Sequence, residues 1–310
     1  MTLAYTEITH NKIKSWLMLA FFVIFVMAMG FILSEAYNPG GGIPGLAIAG
    51  IIAIIWSLIS YFAGNKIALT ISGAKKVERR DNPTLYNVVE NLSIASGVPA
   101  PKIYIIESPA MNAFATGRDP EHGAIAVTRG LLDRLEKAEL EGVLAHELSH
   151  LGNYDTRLMM VVTALAGMVM IMTDLVWRIH FFGGGGSNNK NSDKARLVVL
   201  ILAVILIIFG PLFATLIKLA ISRRRESLAD ASAALLTRYP EGLAQALEKI
   251  SGDSQTLTTA SKGTAHLYIC NPFKAGAWSK WFSTHPPIEE RIKALRGMNF
   301  LDAAPKSVVI

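Results

Sequence analysis

Val143-Leu144-Ala145-His146-Glu147-Leu148-Ser149-His150 decides how this 310-residue chain is read. It places H-E-x-x-H inside an apolar run that favours helix from Lys137 to Gly152. Residues four apart share one face of an α-helix, so His146 and His150 can present imidazole nitrogens to one zinc ion. Glu147, one residue from the first histidine, then lies within reach of the attacking water as its general base. Two histidines on an ordinary surface helix would match the same pattern, so the surroundings must support it.

A catalytic zinc needs three protein ligands and an open position. Downstream of the motif lie two apolar stretches, Leu158 to Trp177 and Leu197 to Ile217, separated by the polar run Gly183-Gly184-Gly185-Gly186-Ser187-Asn188-Asn189. Arg225-Glu226-Ser227-Leu228-Ala229-Asp230 follows the second. Its two carboxylates are four apart, so both can face the histidines if the segment is helical. Glu226 is the expected third ligand. Asp230 is the expected acceptor that fixes the tautomer of a liganding imidazole. If the two apolar stretches form an antiparallel hairpin, their outer ends are adjacent and the three ligands converge close to a membrane surface.

Two more apolar stretches precede the motif, Trp16 to Leu33 and Ile43 to Ala63, joined through Asn38-Pro39-Gly40-Gly41-Gly42. Each is uncharged and about as long as a bilayer crossing requires. The first exceeds the apolar core of a cleaved signal peptide and is followed by an equally apolar partner, which favours a hairpin of helices. The composition agrees: 51% of residues are hydrophobic and 17% charged, with mean hydropathy +0.37. Soluble domains usually carry about a quarter charged residues, so lipid is expected to solvate part of the surface. The net charge of +6 suits a protein facing anionic lipid and is too diffuse to suggest nucleic acid. Cys270 is the lone cysteine, which excludes an intrachain disulfide framework and a cysteine-based metal site.

Lys12 and Lys14 precede the first stretch, Lys66, Lys75, Lys76, Arg79 and Arg80 follow the second, and Arg223 to Arg225 follow the fourth. The positive-inside rule therefore puts both termini and the middle segment in the cytoplasm, although Arg178, Lys190, Lys194 and Arg196 run against it. The expected organisation is α+β: four transmembrane helices plus a mainly helical zinc peptidase domain with a small β-sheet. Residues 1-64 form the first hairpin, 65-157 the first part of the domain, 158-221 the second hairpin and 222-310 the rest of the domain.

Within the domain, Asn82-Pro83 opens a helix through Ser96, and Lys102 to Ile106, Ala113 to Ala115 and Ala124 to Val127 read as strands. Asn112, Ala113 and Phe114 are candidates for an exposed strand edge that binds an extended peptide through main-chain hydrogen bonds. His285, in Ser283-Thr284-His285-Pro286-Pro287, and Arg291 are candidates for stabilising the oxyanion formed when water attacks a peptide carbonyl. His10, His122, His180 and His266 have no spacing that recommends them as ligands. Asp174, near the end of its apolar stretch, is either an intramembrane acid or an interfacial one.

These motifs together resemble the HtpX branch of the membrane-integral zinc metalloproteases, the family that also contains the CAAX prenyl proteases. The resemblance rests on MNAFATG (Met111 to Gly117), VTRGLL (Val127 to Leu132), LAHELSH (Leu144 to His150), RRRESLAD (Arg223 to Asp230), STHPP (Ser283 to Pro287) and ERI (Glu290 to Ile292). It implies a gluzincin-type zinc endopeptidase in the bacterial inner membrane with one zinc ion per chain, held by His146, His150 and Glu226. It also implies Glu147 as base, Asn112 to Phe114 along the substrate, and a role in membrane-protein quality control. Expected partners are the bilayer and damaged or unfolded membrane proteins. A CAAX-type peptidase and a non-catalytic scaffold stabilised by zinc are the competing readings. Four spans are too few for the enclosed chamber of the first, and Glu147 is superfluous in the second.

Overall fold

The computed structural model describes residues 2–182, 197, 201, 223–257, 259–260, 264–272 and 286–298. The chain divides into two compact units, Met1–Gly64 with Arg157–Ala220, and Asn65–Thr156 with Ile221–Ile310. Each is described by itself.

In the first unit, α1 (Thr2–Tyr37) and α2 (Gly42–Ile71) form the expected hairpin. Both glutamate oxygens of Glu35 accept backbone N–H groups of the turn, from Gly40 and Gly42 at 2.9 Å each. A Cβ on Gly30 would lie 2.2 Å from that of Ala49, so the helices approach there as closely as their backbones permit. Leu19, Phe22, Val26, Met29 and Ala53 pack with Val161, Leu165 and Met168 of α6 (Asp155–Phe182). The remaining faces of α1 and α2 expose large apolar side chains, among them Ile24, Ile43 and Phe62. Two helices among the described residues, Ile8–Ala36 and Gly42–Ile71, are long and apolar enough to cross a membrane. The expected fourth span lies almost wholly outside the described residues.

The second unit is mainly helical around a four-stranded mixed sheet. Its helices are α3 (Pro83–Ser96), α4 (Arg129–Arg134), α5 (Lys137–Gly152), α7 (Arg223–Thr237), α8 (Pro240–Ser251) and α9 (Ile288–Arg296). The strands β1 (Ala74–Lys76), β2 (Lys102–Ile106), β3 (Ala113–Thr116) and β4 (Ala124–Thr128) take the order β1-β2-β4-β3. The central pair, β2 and β4, is parallel, with Ile105 opposite Val127; each outer strand is antiparallel to its neighbour.

Local chemistry sets the ends of α3. Asn82 Oδ1 accepts from Leu85 N at 3.0 Å, Pro83 opens the first turn, and Gly97 closes the helix at φ 71 with its N–H on Ser93 O. The strand β1 departs from the sequence expectation, which took Lys75 and Lys76 only as basic flanks of the second apolar stretch. Three residues cannot display a strand period, and lysines at an exposed sheet edge disguise a strand while protecting it from further pairing.

The helix α5 is the centre of this unit. From Glu139 to Leu151 every residue except Glu141 and Ser149 is buried. It packs on α3, α7, α8 and the sheet. A Cβ on Gly142 would meet the Leu243 backbone at 2.7 Å, so glycine lets α8 lie directly against α5. Ala229, Ala233 and Ala234 are wholly buried on α7 and allow a similarly close approach.

Candidate metal centre

The apolar surround of α5 holds an unusual interior cargo. His146, Glu147 and His150 on α5 and Glu226 and Asp230 on α7 are all at most 5% exposed. His146 Nε2 and His150 Nε2 are 3.1 Å apart. Glu226 Oε1 lies 3.6 Å from His150 Nε2, and its Oε2 lies 3.8 Å from His146 Nε2. One ligand atom from each of His146, His150 and Glu226 falls within 4.8 Å of the others, which is a spacing that a metal ion can bridge. Two imidazoles and a carboxylate are donors suited to zinc.

Behind each imidazole stands a carboxylate. Asp230 Oδ1 is 2.9 Å from His146 Nδ1. Arg291, from α9, donates Nε–H and Nη2–H to Asp230 at 2.9 and 2.7 Å. Its Nη2 also lies 3.5 Å from the His146 ring nitrogens, and its Nη1 3.6 Å from Glu226. Asp155 Oδ2 is 2.9 Å from His150 Nδ1, and its Oδ1 lies 3.6 Å from Arg225 Nη1.

The electrostatics follow from these neighbours. Burial opposes ionisation of Asp230, but His146 and Arg291 outweigh it and hold the carboxyl at about 2. Burial also pulls the His150 imidazolium down, yet Asp155, Glu226 and Glu147 push it up to about 9. Arg291 is raised, because its carboxylate partners exceed the cost of burying it. Around the histidines, the buried carboxylates of Glu147, Asp155, Glu226 and Asp230 lie with the buried guanidiniums of Arg225 and Arg291, an acid-rich setting that suits a divalent cation between the histidines and Glu226.

The structure thus brings together His146, Glu147, His150, Glu226, Asp230 and Arg291, all named from sequence. Asp155 and Arg225 were missed. A lone acid just beyond the end of the motif helix carries no helical spacing, so only the turn geometry shows where it goes. Arg225 read as one of three flanking basic residues, yet it is 5% exposed.

The strand expected to offer an exposed peptide-binding edge is covered. β3 does lie at the edge of the sheet. But Asn112, Ala113 and Phe114 are buried, and a segment of the same chain covers the start of the strand. Ile269 N–H donates to Ala113 O at 2.9 Å. The Asn112 amide donates to Cys270 O at 3.0 Å and accepts from Cys270 N at 3.4 Å. Tyr268 packs edge-on against Phe114 with ring centroids 5.0 Å apart. Sequence periodicity cannot report such an occupant, because residues 268–270 join β3 outside any regular strand. His285 lies outside the described residues, as do the side chains of His180 and His266. His122 sits at the surface with Asp119 and Arg118 and is not one of the clustered residues. Asp174 is exposed and pairs with Arg178 at 2.7 Å.

The profile described as "Peptidase family M48" matches residues 79–299, which include every member of this cluster. The chain belongs to peptidase family M48. A relative named "Protease HtpX homolog" from Dictyoglomus turgidum is 45% identical over 300 residues, spanning 95% of this chain and 94% of that protein. Another of the same name, from Tropheryma whipplei strain Twist, is 42% identical over 95% of this chain and 98% of its own length. A solved structure, "Crystal Structure of S. mikatae Ste24p", resembles 94% of this chain and 67% of that one, at TM-score 0.49 and 18% identity. That last likeness bears on neither activity nor substrate. Membership of M48 makes the chain a metalloprotease, and its two long apolar helices fit a membrane protein.

Proposed function

We propose that the chain is a zinc endopeptidase of the gluzincin type that cleaves cytoplasmic regions of misfolded or damaged membrane proteins in the bacterial inner membrane. The observation that carries this reading is the buried cluster of His146, His150 and Glu226 with Glu147 beside it. In this proposal the three clustered residues hold one zinc ion. When bound, zinc supplies Lewis acidity to the peptide carbonyl and to the attacking water. Glu147 takes a proton from that water as its oxygen bonds the carbonyl carbon. It returns the proton to the amide nitrogen as the C–N bond breaks. Asp230, held by Arg291, keeps Nδ1 of His146 engaged, so that Nε2 faces the cluster.

The C-terminal segment with His285 and Arg291 is the proposed source of positive charge for the oxyanion. Asn112 to Phe114 remain the proposed substrate strand, reached once residues 268–270 yield the edge. The membrane part of the proposal is four spans, with residues 1-64 and 158-221 as hairpins. Residues 65-157 and 222-310 then form a cytoplasmic domain. A site tethered at that surface meets the loops and tails of other membrane proteins first.

The test uses the full chain in detergent or vesicles with an unfolded membrane protein as substrate. Glu147→Gln is expected to lower cleavage about 10²–10⁴-fold, the usual worth of a positioned proton carrier, while zinc content is unchanged. Undiminished turnover with zinc bound overturns the mechanism. Cleavage of a prenylated C-terminal peptide in place of the unfolded protein substitutes the CAAX-type reading.

A further inference from the structure

The two clustered histidines are supported differently. The carboxylate behind His146 comes from α7, four residues after Glu226, as helical spacing allows. The one behind His150 comes from Asp155, five residues further along the same chain, where no shared helix places it. α5 ends at Gly152 and α6 starts at Asp155. Between them Tyr154 takes φ 60, a left-handed conformation that is strained for a bulky residue. Such strain persists only where the surroundings over-determine it. Here the turn brings Asp155 back against the helix just completed, with Oδ2 2.9 Å from His150 Nδ1. Asp155 is 1% exposed.

The geometry points to Asp155 as a positioning residue for the metal: it fixes His150 so that Nε2 presents its lone pair to the cluster. A neutral imidazole has two tautomers, and only the one protonated at Nδ1 can donate to Asp155 and still offer Nε2 to a metal. Arg225, itself buried, places Nη1 3.6 Å from Asp155 Oδ1, the oxygen that does not face His150. An acid in the first turn of a helix also has an ordinary use, balancing the helix dipole. That use is served at an exposed position and does not account for burial against an imidazole between a guanidinium and the cluster.

This inference rests on His150 being a metal ligand. Zinc affinity of the purified full-length chain is measured by competition with a chromophoric chelator. Asp155→Ala and Asp155→Asn are compared with the parent, together with the Tm of each metal-free protein. Asp155→Ala is expected to weaken zinc binding about 10–100-fold, the usual effect of removing such a partner. Asp155→Asn, isosteric and still able to accept from Nδ1–H, is expected to fall between that variant and the parent. At saturating zinc both lower kcat and leave KM unchanged. Zinc affinity of Asp155→Ala within twofold of the parent overturns the inference, including when its Tm alone falls, which assigns Asp155 to helix initiation. Should Asp155→Ala not fold, Asp155→Asn decides: affinity equal to the parent overturns the inference. A parent chain that binds no zinc overturns the metal-site reading itself, a different outcome from either.

Discussion

α2 and α5 are both apolar helices, yet their side chains are distributed in opposite ways. α2 turns Ile51, Ile52, Ile54, Ile55 and Leu58 outward, each at least half exposed, and buries Ser60. α5 buries Val143, Leu144, Ala145 and Leu148, and with them two histidines and two glutamates. An outward apolar surface on this scale is unstable in water and natural in hydrocarbon. A buried group of charges is unstable anywhere unless its members are paired or hold a cation. The contrast extends to the units that contain them. In the second unit the exposed large apolar residues among the described ones are Ile67 and Ile71, at the end of α2, and the scattered Ile94, Leu235 and Tyr239. The lesson is that apolar content alone does not say what a helix is for; the location of its few polar residues does.

The largest expected effect separates the two roles completely. Chelation of the metal is expected to reduce cleavage to background, with recovery on adding zinc, while sedimentation with vesicles stays unchanged. Release of the protein from vesicles by the chelator would break the division of labour. Next comes packing: Leu144→Ala is expected to cost about 2–5 kcal/mol and to lower the Tm of the second unit. Ile52→Ala, at a half-exposed position of α2, is expected to cost under about 1 kcal/mol. Equal costs would mean that α2 is packed rather than solvated by lipid.

Polarity gives the converse. Ile55→Lys is expected to disfavour membrane insertion by about 2.5–3.5 kcal/mol, read as the alkali-extractable fraction. Leu235→Lys on the exposed face of α7 is expected to change stability by no more than about 0.5 kcal/mol. The remaining effect concerns acid. Half-buried Asp253 accepts from Met111 N at 2.7 Å and from Arg134 at 2.9 Å. Burial raises its pKa, but Arg134, Met111 and Gln255 outweigh it and hold the carboxyl below its usual value. Its contribution is therefore present above the unfolded pKa, about 4, and is lost as the pH falls through the lower folded value. Asp253→Asn is expected to cost about 1–2 kcal/mol at neutral pH and to flatten the acid limb of a denaturation profile. An unaltered limb would remove Asp253 from that account.

Much of this arrangement is legible in the sequence alone. The period of Lys137 to Gly152 gave α5 its bounds, and Pro83 and Gly97 marked the ends of α3 through their fixed or left-handed backbone. Glu226 and Asp230 followed from a four-residue spacing placed just after an apolar stretch. What stayed hidden was set by turns and by contacts between distant segments. Asp155 reaches His150 through a left-handed residue, and Ile269 reaches Ala113 across more than 150 residues of chain. No local pattern encodes either contact. The lysines of β1 argued for a charged flank while serving a sheet edge.

The second unit is assembled from two pieces of chain, and the cluster is divided between them: His146 and His150 precede residue 157, whereas Glu226 follows residue 220. During synthesis, a chain that ends before Glu226 carries only two of the three clustered side chains, and Arg291 arrives later still. All four apolar stretches lie ahead of Glu226 in the order of translation. Completion of the cluster is therefore among the last events of synthesis, after all four apolar stretches have been made.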